Sequence, residues 1–207
     1  MNERLNIFGA AKRLKEQLGR LRRDTRGVAA IEFAFVVPVL LGVYFMTMEV
    51  SQGIEANKKT GRIASMVADL VTQQQRVVKS EVDAIMRIGE AVIQPYNRTV
   101  PSIYVTAIEV TDEATPKVVV AWSRKLVGGT ASKHLNAGTS TTVPDKLKVA
   151  GTFLIRVETS LDYKPVLTWN AEAKKSAGLA AAFDNIAMDE RYFLRPRMSH
   201  TIPCVDC

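Results

Sequence analysis

Residues 26–50 read RGVAAIEFAFVVPVLLGVYFMTMEV, and the fold turns on them. From Val28 to Met48 the only charged residue is Glu32, and from Phe33 to Met48 there is none. As a helix, Val28–Met48 spans about 31 Å, close to the ~30 Å hydrocarbon core of a bilayer. Two residues are expensive there. A carboxylate at mid-membrane costs roughly 2.5–3.5 kcal/mol, less near the interface, and Pro38 removes a backbone hydrogen bond that neighbours in lipid must re-satisfy. A core helix in a small domain should carry a polar stripe, whereas this run is apolar all round. A cleaved secretory signal has a shorter apolar core and a small-x-small cleavage site. Here the run leads instead into Tyr44-Phe45-Met46-Thr47-Met48-Glu49. The stretch reads as a membrane-spanning helix.

Charge sets its direction. The chain has 207 residues and a formal charge of +7, of which residues 1–27 hold +5 from eight Lys/Arg against three acids. The remainder is close to neutral. By the positive-inside rule the N-terminal tail is cytoplasmic and the C-terminal body lies outside the cytoplasm. Nucleic-acid binding would need basic and base-reading residues clustered in the body, and no such cluster appears.

The helix is expected to run from Val28 to Thr72. Ile63, Met66, Val67, Leu70 and Val71 recur at helical spacing on one face. Glu55, Lys58, Lys59, Arg62 and Asp69 suit a wetted or partner-facing side. Gly53 and Gly61 weaken continuity by about 1 kcal/mol each relative to alanine. Two readings of Glu32 stand side by side. Either it sits in the headgroup zone, or it neutralises a cation. Cleavage between Gly27 and Val28 would create such a cation, a new α-amino group that Glu32 of a neighbouring subunit could meet.

Gly27 followed by Glu32, with a basic leader before and an apolar helix after, resembles the prepilin-peptidase site of type IV pilins and pseudopilins. The longer pattern resembles the TadE/TadG-like pilus-assembly family. Its carriers are Ile31-Glu32-Phe33-Ala34, Val37-Pro38-Val39-Leu40-Leu41-Gly42 and Met48-Glu49, within about residues 23–52. The resemblance implies a single-pass protein of the bacterial inner membrane, part of the tight-adherence (Flp) pilus apparatus. It implies processing at Gly27–Val28 by a prepilin peptidase and a subunit-assembly contact through Glu32 and Phe33. Pro38 and Glu49 are further features of the family helix. Other pilin or pseudopilin subunits and the inner-membrane assembly machinery are the implied partners, besides the lipid bilayer.

The expected fold is α+β. A long N-terminal pilin-like helix, transmembrane in its first half, precedes a small extracytoplasmic domain with an antiparallel sheet. The expected organisation is a basic cytoplasmic leader (1–27), a transmembrane helix (28–50), an extended amphipathic helix and second helix (51–95), and the sheet domain (96–207). Ser80-Glu81-Val82-Asp83 reads as a capping box opening the second helix, whose apolar side is Val82, Ile85, Met86, Gly89 and Val92. Residues 103–110 and 117–123 read as a hairpin joined by a loop. Residues 153–163 alternate, Phe153, Ile155, Val157, Thr159, Leu161 and Tyr163 facing a core and the intervening side chains facing water. A short strand is expected around 191–194. Residues 128–144 read as a surface loop, and 170–190 as helix or loop. Trp122, Tyr163-Lys164-Pro165 and Arg195-Pro196-Arg197 are short echoes of the same family.

No catalytic constellation stands out. His134 lies in the expected loop and His200 near the C-terminus; there is no phosphate loop, nucleophile elbow or helical metal motif. Asn97-Arg98-Thr99 is a formal sequon of no expected consequence in a bacterial chain. No enzyme activity, cofactor or metal is expected. Cys204 and Cys207 are the only cysteines. In an oxidising periplasm a disulfide is expected, as a small ring or between two copies. Zinc with His200 would lack a fourth protein ligand. Two functional classes follow. One is a pilin-like structural subunit; the other is an uncleaved membrane anchor displaying a binding or scaffold domain.

Overall fold

The computed structural model describes residues 19, 27–95, 98–165 and 186–207. Most of the basic leader, the sequon asparagine Asn97 and residues 166–185 lie outside the described residues. The architecture is α+β: a 45-residue apolar-to-amphipathic helix α1 (Val28–Thr72), a second helix α2 (Lys79–Val92), and five antiparallel strands. These are β1 (Ser102–Val110), β2 (Val118–Val127), β3 (Thr130–Lys133), β4 (Phe153–Tyr163) and β5 (Ile186–Leu194), in sheet order β3-β2-β1-β4-β5. The chain divides into two compact units between Met48 and Glu49.

In the second unit, helices and sheet share one core. Ala56, Ile63, Ala64, Val67, Ala68 and Val71 of α1 pack with Val82 and Met86 of α2 and with the inner face of the sheet. Residues 51–95 and the sheet therefore belong to one body, not to successive segments. The buried stripe of α1 keeps Ile63, Val67 and Val71 of the expected face and adds alanines, while Met66 and Leu70 are half-buried. Small residues let the helix approach the sheet closely.

Gly89 does the same for α2. A Cβ there would lie 2.8 Å from a Val67 methyl, 3.1 Å from Ile63 and 3.3 Å from Ile103. Between the helices and the sheet, Arg124 of β2 donates from Nε and Nη2 to the two carboxylate oxygens of Asp83, at 2.9 and 2.5 Å. Thr159 donates to the Thr60 carbonyl at 3.0 Å. Arg124 and Thr159, both buried, thus have partners, as burial requires.

Three details differ from the sequence reading. The second helix starts two residues earlier than Ser80-Glu81-Val82-Asp83 suggested, with Val78 at the N-cap. Glu81 then falls at N3, and its carboxylate accepts from the Val78 backbone N–H at 3.1 Å. Valine has no oxygen to return the bond, so only the glutamate half of a capping box is made, and Ser80 and Asp83 sit inside the helix.

The segment 128–144 is not simply a loop. Gly128 and Gly129 have φ of +57° and +74°, the left-handed pair a tight hairpin demands, and they turn the chain directly into β3. Residues 138–141 then run along Val118–Val120 through Gly138 N–H to Val120 O, Val120 N–H to Thr139 O and Thr141 N–H to Val118 O.

That placement explains the third difference. The outer face of β4 was expected to be wet, yet Leu154 and Arg156 are buried. Val143, Leu147 and Phe193 pack over Ile108, Val110, Val118 and Leu154 as a small second core. Arg156 donates to the Thr141 hydroxyl and the Thr142 carbonyl, pinning the covering segment. Residues 186–190, left open as helix or loop, form the first half of β5 and pair with Thr159–Tyr163.

Candidate membrane and assembly segment

The first unit's described helix offers an apolar surface interrupted by one charged residue, Glu32. Ile31, Phe33, Phe35, Val39, Leu40, Val43 and Tyr44 are all exposed, Phe35 to 75%. Soluble monomers rarely show contiguous apolar patches of this kind. Among the described residues α1 is the one helix long and apolar enough to cross a membrane, and none of its most apolar window is buried. Glu32 is exposed on that surface, Pro38 lies within the helix, and Gly27 is exposed immediately before Val28. Among the described residues an added Cβ at Gly27 would meet nothing within 4 Å.

Glu49 behaves differently from Glu32. It follows the apolar run, yet it is 7% exposed, and the Tyr163 hydroxyl donates to its Oε1 at 2.7 Å. The end of β4 thereby meets α1 one residue beyond Met48, and Gly53 lies beside the same ring, 3.8 Å from its would-be Cβ. Sequence reasoning treated Glu49 as a feature of the membrane helix. Its partner could be sought only in the aromatic of Tyr163-Lys164-Pro165, which the one-dimensional pattern does not connect to it.

The C-terminal residues tie the two helices together. Arg197 donates its backbone N–H to the Thr72 carbonyl at 3.0 Å and its guanidinium to Asp69 at 2.6 Å. A cation at the C-terminus of α1 also complements the helix dipole. Beyond it, the Trp122 indole donates to the Ile202 carbonyl at 2.7 Å; Trp122 lies within β2 rather than at its end. Val77 N–H then bonds Pro203 O, and Val205 N–H bonds Val77 O. Cys204 and Cys207 are joined to each other as a small ring, and both pack against the core. Within the ring, Asp206 accepts from the Lys79 backbone N–H at 2.7 Å, so it satisfies one of the orphan donors that begin α2. Cys204, Asp206 and Cys207 have potential ligand atoms within 4.8 Å of one another, but the disulfide and the helix contact already engage them. His200 is not part of that group.

On the far side of the sheet lies a concavity of about 470 Å³ lined by residues of β1, β4 and β5 together with His134.

Fold and segment together define the class: an α+β protein whose N-terminal helix is long and apolar enough to anchor it in a membrane. Residues 27–69 match the model of the TadE-like protein family, so over this stretch the chain is TadE-like, as the motifs around Glu32 and Pro38 imply. The family suggests a role related to the Tad pilus. No curated protein and no solved structure matches the chain.

Proposed function

We propose that this protein is a pilin-like subunit, a minor pilin or pseudopilin that takes part in assembling a tight-adherence pilus. One observation carries the reading: the TadE-like stretch begins at Gly27, and the helix it opens leaves its apolar surface uncovered up to Met48. In this account the basic leader stays in the cytoplasm, α1 crosses the inner membrane, and the sheet domain stands in the periplasm. A prepilin peptidase cuts between Gly27 and Val28. The α-amino group released at Val28 carries a positive charge near neutral pH, and Glu32 of a neighbouring subunit lies at the right depth to neutralise it. Two charges that would each be costly in the membrane are then buried as a pair, with Phe33 packing beside them. The partners are other pilin or pseudopilin subunits and the inner-membrane assembly machinery. The protein's role is structural rather than catalytic, and it does not act on nucleic acid.

Glu32→Gln keeps the side chain's shape and removes its charge. The expected result is a folded, membrane-inserted protein that no longer co-purifies with its pilin partners, while piliation falls. Normal piliation and co-purification in that variant would remove the role assigned to Glu32. A second reading is an uncleaved anchor carrying a periplasmic binding or scaffold domain, and the polar concavity on the sheet favours it. Retention of the leader, together with absence from sheared filaments, would select that reading.

A further inference from the structure

The outer face of the sheet carries a concavity that the pilin-like account does not use. Tyr104 of β1, Glu158 of β4 and Arg191 of β5 lie side by side across three strands, because Tyr104 pairs with Glu158 and Glu158 with Arg191. Ser160 and Asp189 form the neighbouring pair of the same face. His134, at the end of β3, leans over the row with its ring centroid 4.8 Å from that of Tyr104, held by a bond from its backbone N–H to Ser123 O. The volume of about 470 Å³ falls within the range of small-molecule sites, ~300–1,000 Å³.

The polar groups are held in place. The Glu158 carboxylate is gripped by Arg191, whose Nε and Nη2 lie 2.7 and 2.6 Å from Oε1, while Arg156 Nε lies 3.1 Å from Oε2. Glu158 is thus fixed by neighbours and is not a free negative charge. Around the concavity two carboxylates (Glu158, Asp189) stand beside three cations (Arg156, Arg191, Lys125), while the Glu190 side chain turns to the other face, against Gly61 of α1. Burial and then Lys125 hold His134 below the ordinary histidine value, so near pH 7 its ring is neutral. Glu158 engages Arg191 and Arg156, so the concavity holds at most one cation in excess and no cluster of like charge that would select an ionic ligand. What remains is an aromatic pair beside fixed donors and acceptors.

We propose that this concavity is a saccharide-binding site, taking a neutral sugar whose apolar ring face lies on the Tyr104–His134 pair and whose hydroxyls bond the Asp189, Ser160 and Arg191 side chains. A pyranose is the ligand class that presents a C–H face and a rim of uncharged hydroxyls together. The proposal stands independently of cleavage at Gly27, since every residue it uses lies in the sheet domain.

Saturation-transfer NMR on the full chain in lipid nanodiscs tests it, with methyl glucoside, methyl galactoside and N-acetylglucosamine as neutral probes. Glucuronate and spermidine serve as charged controls. Transfer to the ring protons of at least one neutral sugar is expected, retained in Tyr104→Phe and weakened about tenfold in Tyr104→Ala, the loss of one ring contact. Asp189→Asn, a change at an exposed position, should weaken it as well. This variant decides the matter if Tyr104→Ala lowers the melting temperature. Absence of transfer to every neutral sugar, transfer to the charged probes alone, or transfer insensitive to Asp189→Asn would overturn the assignment.

Discussion

The Tyr163 hydroxyl donates to the Glu49 carboxyl group at 2.7 Å, joining the last residue of β4 to α1 one residue past Met48. Both groups are buried, so neither can exchange its partner for water at no cost. Tyr163→Phe removes the donor while keeping the ring. It is expected to destabilise the sheet domain by about 1–3 kcal/mol, the range for one hydrogen bond to a carboxyl group. Thermal unfolding of the nanodisc-embedded protein, followed by circular dichroism, would show the lowered midpoint. An unchanged midpoint would mean that the bond contributes nothing net.

The Arg124–Asp83 pair makes a second, stronger prediction. Arg124 is buried and donates to both carboxylate oxygens of Asp83. Removing the carboxylate strands a guanidinium in the interface, and breaking such pairs costs about 3–5 kcal/mol. Asp83→Ala should therefore unfold the domain at much lower denaturant. The double variant Asp83→Ala/Arg124→Met should recover most of that loss, because the uncompensated charge has gone.

Gly89 is a packing requirement rather than a flexible point. In an open helix Gly→Ala stabilises by about 1 kcal/mol. Here the new methyl would meet Val67 at 2.8 Å and two further side chains inside 3.4 Å, and overpacking costs about 1–3 kcal/mol. The expected net sign is destabilising, by roughly 1 kcal/mol. A higher denaturation midpoint for Gly89→Ala would show that the α1–α2 contact has room to spare.

Asp206 links the Cys204–Cys207 ring to the start of α2. Asp206→Ala should cost about 1 kcal/mol, as loss of a cap does. Reducing the small ring should cost about 2 kcal/mol by the chain-entropy relation. If Asp206 is positioned by the ring, the two losses will add to less than their sum. Full additivity on denaturant curves with and without reductant would make them independent.

His134 gives the domain a pH dependence of definite sign. Burial lowers its pKa first, Lys125 and Arg156 lower it further, and Glu158 opposes them. As pH falls below about 6.5 the unfolded chain takes up this proton before the folded one does. The contribution to stability is therefore full above about 6.5 and is lost on the acid side. NMR titration of the His134 ring should give a midpoint below the ordinary histidine value, and a midpoint at or above it would contradict the burial.

Much of this was legible because it rests on periodicity. The bounds of α1, the hairpin of β1 and β2, and the alternation along β4 follow from helical and two-residue repeats of apolar side chains, which local sequence displays. Gly128-Gly129 was legible too, but its composition suggested an open loop where two left-handed residues in fact make a hairpin. The burial of Arg156 was not legible, because the segment that covers it, 14 and 15 positions away at Thr142 and Thr141, has the composition of an open loop. Tyr163–Glu49, Arg124–Asp83 and Trp122–Ile202 were hidden by sequence separation. Each joins residues at least 41 positions apart. The apolar row at 28–48 and the Gly27–Glu32 spacing could be read directly, since a membrane segment is defined by composition and length rather than by distant contacts. The concavity around Tyr104 depends on strand register, which sets three separate strands side by side.

The proposed function has the Gly27–Val28 bond cut and Val28 as the first residue of the working subunit. N-terminal sequencing of the protein purified from its native membranes, backed by intact mass, reads this out. A mature chain beginning Val28-Ala29-Ala30-Ile31-Glu32 is expected, with retention of the leader when Gly27 is replaced by a bulky residue. A dominant N-terminus at Met1 or Asn2 in the wild-type protein would rule processing out.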